Sequence, residues 1–196
     1  MSSAPRFTLL PASGHLDMPW KNGLGRTAEI AREPAGGEAF DWRVSIATIA
    51  ADGAFSAFPG CDRTLVPIAG GGLALVFADG TRLVGQLFEA MRFSGDAPCD
   101  GRLLSGPARD LNVITRRAAM RHHVEVVAAP CRTICRSATT LVAALGGTLG
   151  VAAGAELWRL GDGDVLRIDG AGATLAIEPG EAPGRVALIS LDRAEP

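Results

Sequence analysis

Short apolar runs recur along the whole chain, each bounded by glycine, proline or an Asp-Gly pair. "TLVPIA" at 64–69, "LALVFA" at 73–78, "TRLVGQLF" at 81–88, "LNVITRR" at 111–117, "HVEVVAA" at 123–129 and "RTICRSA" at 132–138 read as strands. So do "TLVAAL" at 140–145, "TLGVAA" at 148–153, "DVLRI" at 164–168, "TLAIE" at 174–178 and "RVALISL" at 185–191. Asp79-Gly80, Gly146-Gly147 and Asp169-Gly170 read as hairpin-type turns. No long stretch keeps a 3.6-residue period; Thr27 to Arg32 is given one helical turn at most. Many strands at roughly ten-residue spacing predict an all-β sandwich or barrel. Residues 64–88 and 139–168 echo each other as strand, glycine-rich turn, strand, turn, strand.

Composition narrows this picture. In 196 residues, 47% are hydrophobic, enough for a packed core in one domain or two small fused lobes. The net charge of −2 offers no basic stripe for nucleic acid. Ser137 to Ala155 is uncharged, but Gly, Ala and Thr fill it, so two buried strands are expected there and no membrane span. The start of the chain has no signal-peptide pattern. The four cysteines, Cys61, Cys99, Cys131 and Cys135, read as reduced, and the expected location is the cytoplasm.

Candidate chemistry is sparse. The three histidines are His15, His122 and His123; the last two are adjacent, so on a strand they face opposite ways. No metal and no cofactor are expected. There is no nucleophile elbow, no phosphate loop and no tyrosine. What remains is cations and amides near aromatics. In "FDWRVSIATIA", Trp42, Val44 and Ile46 alternate with Asp41, Arg43 and Ser45, and an arginine two residues from a serine can offer a forked donor to a carboxylate. In "DLNVITRR", Asp110, Asn112 and Arg116 share one face of a regular strand. Phe55 and Phe58, around Pro59-Gly60, read as core, and "FSGD" at 93–96 as a tight polar turn.

The segments "MPWKNGLGRTAEIA", "FDWRVSIATIAADGAFSAFPGCDRTL", "FSGD" and "DLNVITRR", in this order, resemble the HutD/Ves family over about the first 120 residues. The resemblance implies a cupin-type, bicupin fold: one compact unit of two jelly-roll-type halves, near 1–120 and 121–196, with strands exchanged between them. It implies a bacterial protein of histidine utilisation or stress response, with no established catalytic activity and a metabolite such as N-formylglutamate as ligand. Leu24 stands where the family usually has glycine, Leu111 where it has phenylalanine, and Ile114 where it has methionine.

The expected ligand site is a barrel mouth. Trp20, Lys21 and Asn22 form one edge, with Gly23 and Gly25 letting the backbone bend. Arg43 and Ser45 come from a neighbouring strand, Arg63 from the next loop, and Asp110, Asn112 and Arg116 from a strand opposite. Such a cation-rich pocket suits a small anionic metabolite. Two alternatives stay open for the same residues: an internal ion-pair network with Asp41, Asp62 and Asp110 as its acids, or a metal-free enzyme in which Asp110, Asp62 or His15 transfers protons. A protein-interaction module is a further function class, and a homodimer is compatible with any of them.

Overall fold

The computed structural model describes residues 4–20, 22–36, 39–182 and 184–195. It is all-β, with one three-residue 3-10 turn at Ala12–Gly14. The strands in chain order are β1 (Arg6–Leu10), β2 (Leu16–Pro19), β3 (Gly25–Glu33), β4 (Trp42–Ile49), β5 (Gly53–Phe55), β6 (Cys61–Ala69) and β7 (Leu73–Phe77). Then come β8 (Arg82–Gly85), β9 (Met91–Ser94), β10 (Cys99–Leu103), β11 (Ala108–Arg116), β12 (Met120–Ala128) and β13 (Cys131–Ile134). The chain closes with β14 (Thr139–Leu145), β15 (Leu149–Ala153), β16 (Glu156–Leu160), β17 (Val165–Asp169), β18 (Thr174–Pro179) and β19 (Arg185–Arg193).

The chain divides into two units. One is His15–Arg121; the other joins Met1–Gly14 to His122–Pro196. The first holds a sheet ordered β2-β3-β4-β11-β6-β9 and a smaller sheet ordered β5-β10-β7-β8. Ile49, Leu65, Leu73, Leu75, Met91 and Cys99, drawn from both sheets, form its buried core. The second unit holds β1-β17-β14-β19-β12 and β13-β18-β15-β16. Its core includes Val142, Leu149, Val151, Leu160, Leu166, Ile168, Leu175 and Ile177.

These orders are the same plan used twice. Adding eight to each strand number turns β4-β11-β6-β9 into β12-β19-β14-β17, and β5-β10-β7-β8 into β13-β18-β15-β16. The echo heard in residues 64–88 and 139–168 is therefore topological: β6-β7-β8 against β14-β15-β16. What differs lies outside the eight common strands. The first unit extends its large sheet with β3 and β2 beside β4, whereas the second extends its own with β1 beside β17.

Two local expectations are corrected. Thr27 to Arg32 is not a helical turn but the middle of β3, paired with β4. Its alternation is broken by the consecutive apolar residues Ile30 and Ala31, where the register with β4 shifts at a bulge between Glu29 and Ala31. Asp79-Gly80 does close the β7–β8 hairpin, with Gly80 at φ +85° and Phe77 N–H donating to Thr81 O at 2.9 Å. Gly146-Gly147 and Asp169-Gly170 do not close hairpins: each carries the chain from one sheet to the other. A glycine pair marks a sharp reversal, but not which sheet receives the returning strand. The uncharged segment Ser137 to Ala155 is β14 and β15, with β14 buried from Thr140 to Leu145. Among the described residues no helix is long and apolar enough to cross a membrane.

Candidate functional site

The site is built on three neighbouring strands of the first unit. On β11, Asp110, Asn112 and Ile114 share a face. Their register partners are Ala47, Ser45 and Arg43 on β4, and Pro67, Leu65 and Arg63 on β6. Beyond β4, β3 sets Glu29 beside Ser45 and Arg32 beside Arg43. Arg43 and Arg63 thus flank Ile114 from either side. Adjacent strands lie about 4.8 Å apart, so the two arginine backbones stand about 10 Å apart. Arg63 comes from a strand and not from a loop, and β11 lies between β4 and β6 and not opposite them.

Over this face opens a cavity of about 790 Å³. Six of the nine residues singled out from sequence line it: Trp20, Asn22, Arg43, Ser45, Arg63 and Asn112. Lys21 lies outside the described residues. Asp110 is buried beneath the cavity and does not line it, one row below Asn112. Arg116 has the right parity but sits past the last row, where it pairs with Asp41 beside a different cavity. The corresponding place in the second unit, against His123, Thr140 and Ser190, keeps a cavity of about 60 Å³.

The "WKNGLG" segment shapes one wall. Gly23 takes φ +72° and its N–H donates to Trp20 O at 3.0 Å, while Asn22 Oδ1 accepts from Leu24 N at 3.0 Å. A Cβ on Gly25 would stand 2.4 Å from Thr48 O and 3.0 Å from the Trp20 ring, so only glycine lets that ring close down. Trp20 Nε1 donates to Thr27 Oγ1 at 2.8 Å, which fixes the indole edge. Leu24, in place of the family's usual glycine, packs on Gly53, where a Cβ would be 2.8 Å from its Cδ1. Ile114 is the departure that reaches the cavity floor.

The two arginines are held differently. Arg43 Nε donates to Glu29 Oε2 at 2.6 Å, and Arg32 shares the same carboxylate at 3.9 Å. Arg63 is 3% exposed. Its Nη1 donates to Ser56 O at 2.9 Å, and its Nε has no hydrogen-bond partner. Its Cζ lies 5.0 Å from the Phe93 ring, 5.1 Å from Phe58 and 5.9 Å from Phe55. Each such contact is worth about 0.5–2 kcal/mol. Burial pushes the Arg63 pKa down while Asp110 pulls it up, and a guanidinium is not deprotonated in proteins.

Asp110 is 1% exposed, and neither carboxylate oxygen has a hydrogen-bond partner. Burial raises its pKa to about 7, against the pull of Arg63. The acids foreseen for an internal network are placed elsewhere. Asp41 serves Arg116, Asp62 serves Arg117 at 2.7 Å, and the acid that holds Arg43 is Glu29. Burial pushes the thiols of Cys61, Cys99, Cys131 and Cys135 up, so none is poised as a thiolate. Among the described residues no group of three or more His, Cys, Asp or Glu side chains could hold a metal ion.

The HutD family model matches residues 12–183. The chain belongs to the HutD family. An uncharacterized 21.2 kDa protein in the hutC 3′ region of Pseudomonas putida is 37% identical over 189 residues, covering 95% of this chain and 97% of that relative. Protein Ves of Citrobacter koseri is 35% identical over 144 residues, 73% of this chain and 70% of that relative. Among solved structures, HutD from Pseudomonas fluorescens SBW25, in a formate condition, superposes with TM-score 0.82 at 32% identity, covering 96% of this chain and 99% of that one. A cupin 2 conserved barrel domain protein from Leptotrichia buccalis, at 10% identity and TM-score 0.56, shares the fold alone, and the HutD-family architecture is cupin-like.

Proposed function

We propose that this HutD-family protein binds a small anionic metabolite, a carboxylate, in the 790 Å³ cavity of its first unit and releases it unchanged. The observation that carries this reading is Arg63: a guanidinium almost wholly buried in the wall of a ligand-sized cavity, with one carbonyl acceptor and an unpartnered Nε. A buried cation costs several kcal/mol unless it is paired. Around the site Arg32, Arg43 and Arg63 face two acids, Glu29 and Asp110, and the second of these holds its proton up to about pH 7. The excess positive charge is balanced when an anion enters. Asn112 lines the same cavity: its Nδ2 amide can donate to the carboxylate, and its unpartnered Oδ1 is left to accept from an N–H of the ligand, which fixes the ligand's orientation.

The gene context in the name of the Pseudomonas putida relative supports acids of histidine breakdown as the first ligands to try. N-formylglutamate leads, followed by urocanate and glutamate. Binding such an intermediate would limit flux through the pathway.

Calorimetric titration tests the reading. N-formylglutamate is expected to saturate one site and to be recovered unchanged by mass spectrometry. Its uncharged diamide should bind at least about tenfold more weakly, because charge-assisted hydrogen bonds are worth about 1.5–3 kcal/mol. Failure of all three acids to bind, or equal binding of the diamide, overturns the reading. Turnover of the acid would replace it with an enzymatic one.

A further inference from the structure

The "FSGD" segment does not line the cavity, though its Phe93 ring lies against the Arg63 guanidinium, and it is tied to the cavity wall by a dense set of bonds. Asp96 Oδ1 accepts from Gly60 N at 2.6 Å, and its Oδ2 accepts from Ser94 Oγ at 2.6 Å and from Arg117. Arg117 Nη1 also donates to Cys61 O at 2.6 Å and to Asp62 Oδ1 at 2.7 Å. Backbone bonds run alongside: Phe58 N to Gly95 O at 2.7 Å, Gly95 N to Cys61 O at 2.8 Å, and Arg117 N to Gly60 O at 3.0 Å. A Cβ on Gly95 would lie 2.7 Å from Phe58 O, so the two turns meet backbone to backbone. The stapled segment, Phe58 to Cys61, carries the ring that lies 5.1 Å from the Arg63 guanidinium. Two residues before it, Ser56 O takes Arg63 Nη1.

We propose that Asp96 and Arg117 are positioning residues for the anion site: by locking the Phe58–Cys61 turn they hold the Phe58 ring against Arg63 and so fix the direction of its guanidinium in the cavity. Neither touches the cavity. Their effect passes through Phe58 and Arg63, which do. The three bonds converge on Asp96 itself, and the Ser94 hydroxyl, the Gly60 N–H and Arg117 together lower its pKa to about 2. The inference rests on the carboxylate reading for its ligand, but its geometry can be tested without one.

The ligand-free test is the NMR resonance of the Arg63 Nε–H, which three aromatic rings shift by their ring currents. In Asp96→Ala that resonance is expected to move toward its open-chain position, with a smaller move in Asp96→Asn, which keeps an acceptor for Gly60 N. Arg117→Ala should move it likewise, and Arg117→Lys should restore part of the shift. In parallel, affinity for N-formylglutamate should fall about tenfold in Asp96→Ala, and the same substitution should cost nothing further in an Arg63→Met background. An unmoved Arg63 resonance overturns the inference, as does an equal loss of affinity with and without Arg63. If wild type binds no carboxylate while the resonance still moves, the ligand reading fails and the positioning of Arg63 stands. If Asp96→Ala does not fold, Asp96→Asn and Arg117→Lys decide the question.

Discussion

Asp110→Asn is expected to stabilise the protein at pH 8 by about 4 kcal/mol and to leave its stability near pH 3 unchanged. The size follows from the distance between the ordinary carboxylate value of 3.8 and the folded value of about 7, at about 1.36 kcal/mol per unit. Below the unfolded value both states hold the proton, and the buried group is a neutral acid that asparagine imitates. Between the two values the unfolded chain releases its proton and the folded chain keeps it, so wild-type stability falls steadily as pH rises. Above about pH 7 the fold contains a carboxylate with no hydrogen bond, and the deficit is complete. The attraction of Arg63 is already contained in that folded value. Denaturant unfolding of both proteins from pH 3 to 8 checks this. The two stability curves should diverge through the interval and then run parallel. Parallel curves throughout would show that Asp110 is solvated or paired.

Arg63→Met is expected to lower carboxylate affinity about 10- to 100-fold, the worth of a charge-assisted interaction in a water-poor pocket. Arg63→Lys should not rescue it. The guanidinium is a plane lodged among Phe55, Phe58 and Phe93, with its fork directed by Ser56 O, and an ammonium reproduces neither feature. The same substitution removes the cation that lowers the Asp110 pKa. The upper end of the pH interval over which stability falls should therefore rise in Arg63→Met while its lower end stays at the unfolded value, which links the two experiments. Calorimetry with the acid that binds wild type measures the first effect. Unchanged affinity in Arg63→Met would place the anion away from β6.

How much of this was legible in the sequence depended on regular alternation. Trp42, Val44 and Ile46 against Arg43 and Ser45 is a clean period of two, and the strand and its cavity-facing side were readable from it. The face shared by Asp110, Asn112 and Arg116 was readable for the same reason. Where β11 runs out over the cavity is not written in alternation, so Arg116 was placed in a site it does not reach. Glu29 was missed because the bulge at Glu29/Ala31 breaks the period and made β3 look helical. An acid on the strand next to Arg43 could be found only through the pairing of β3 with β4. Phe55 and Phe58 looked like core because they are phenylalanines beside a turn, and Phe55 does pack against the core of the first unit as well as facing the cavity. They line the cavity because a buried arginine needs rings around it, and "FSAFPGCDR", which sets two rings near Arg63, was the available signal. The repeat of eight strands was audible only as an echo, since topology survives where spacing and side chains have drifted.

The central claim is that one anion is held between Arg43, Arg63 and Asn112. The most direct measurement is side-chain NMR of the protein with and without saturating N-formylglutamate, following the arginine Nε–H and asparagine amide signals. The account predicts that the signals of Arg43, Arg63 and Asn112 shift together and saturate at one equivalent, while His123 in the small cavity of the second unit stays still. Shifts confined to other residues, or none among these three, would contradict it.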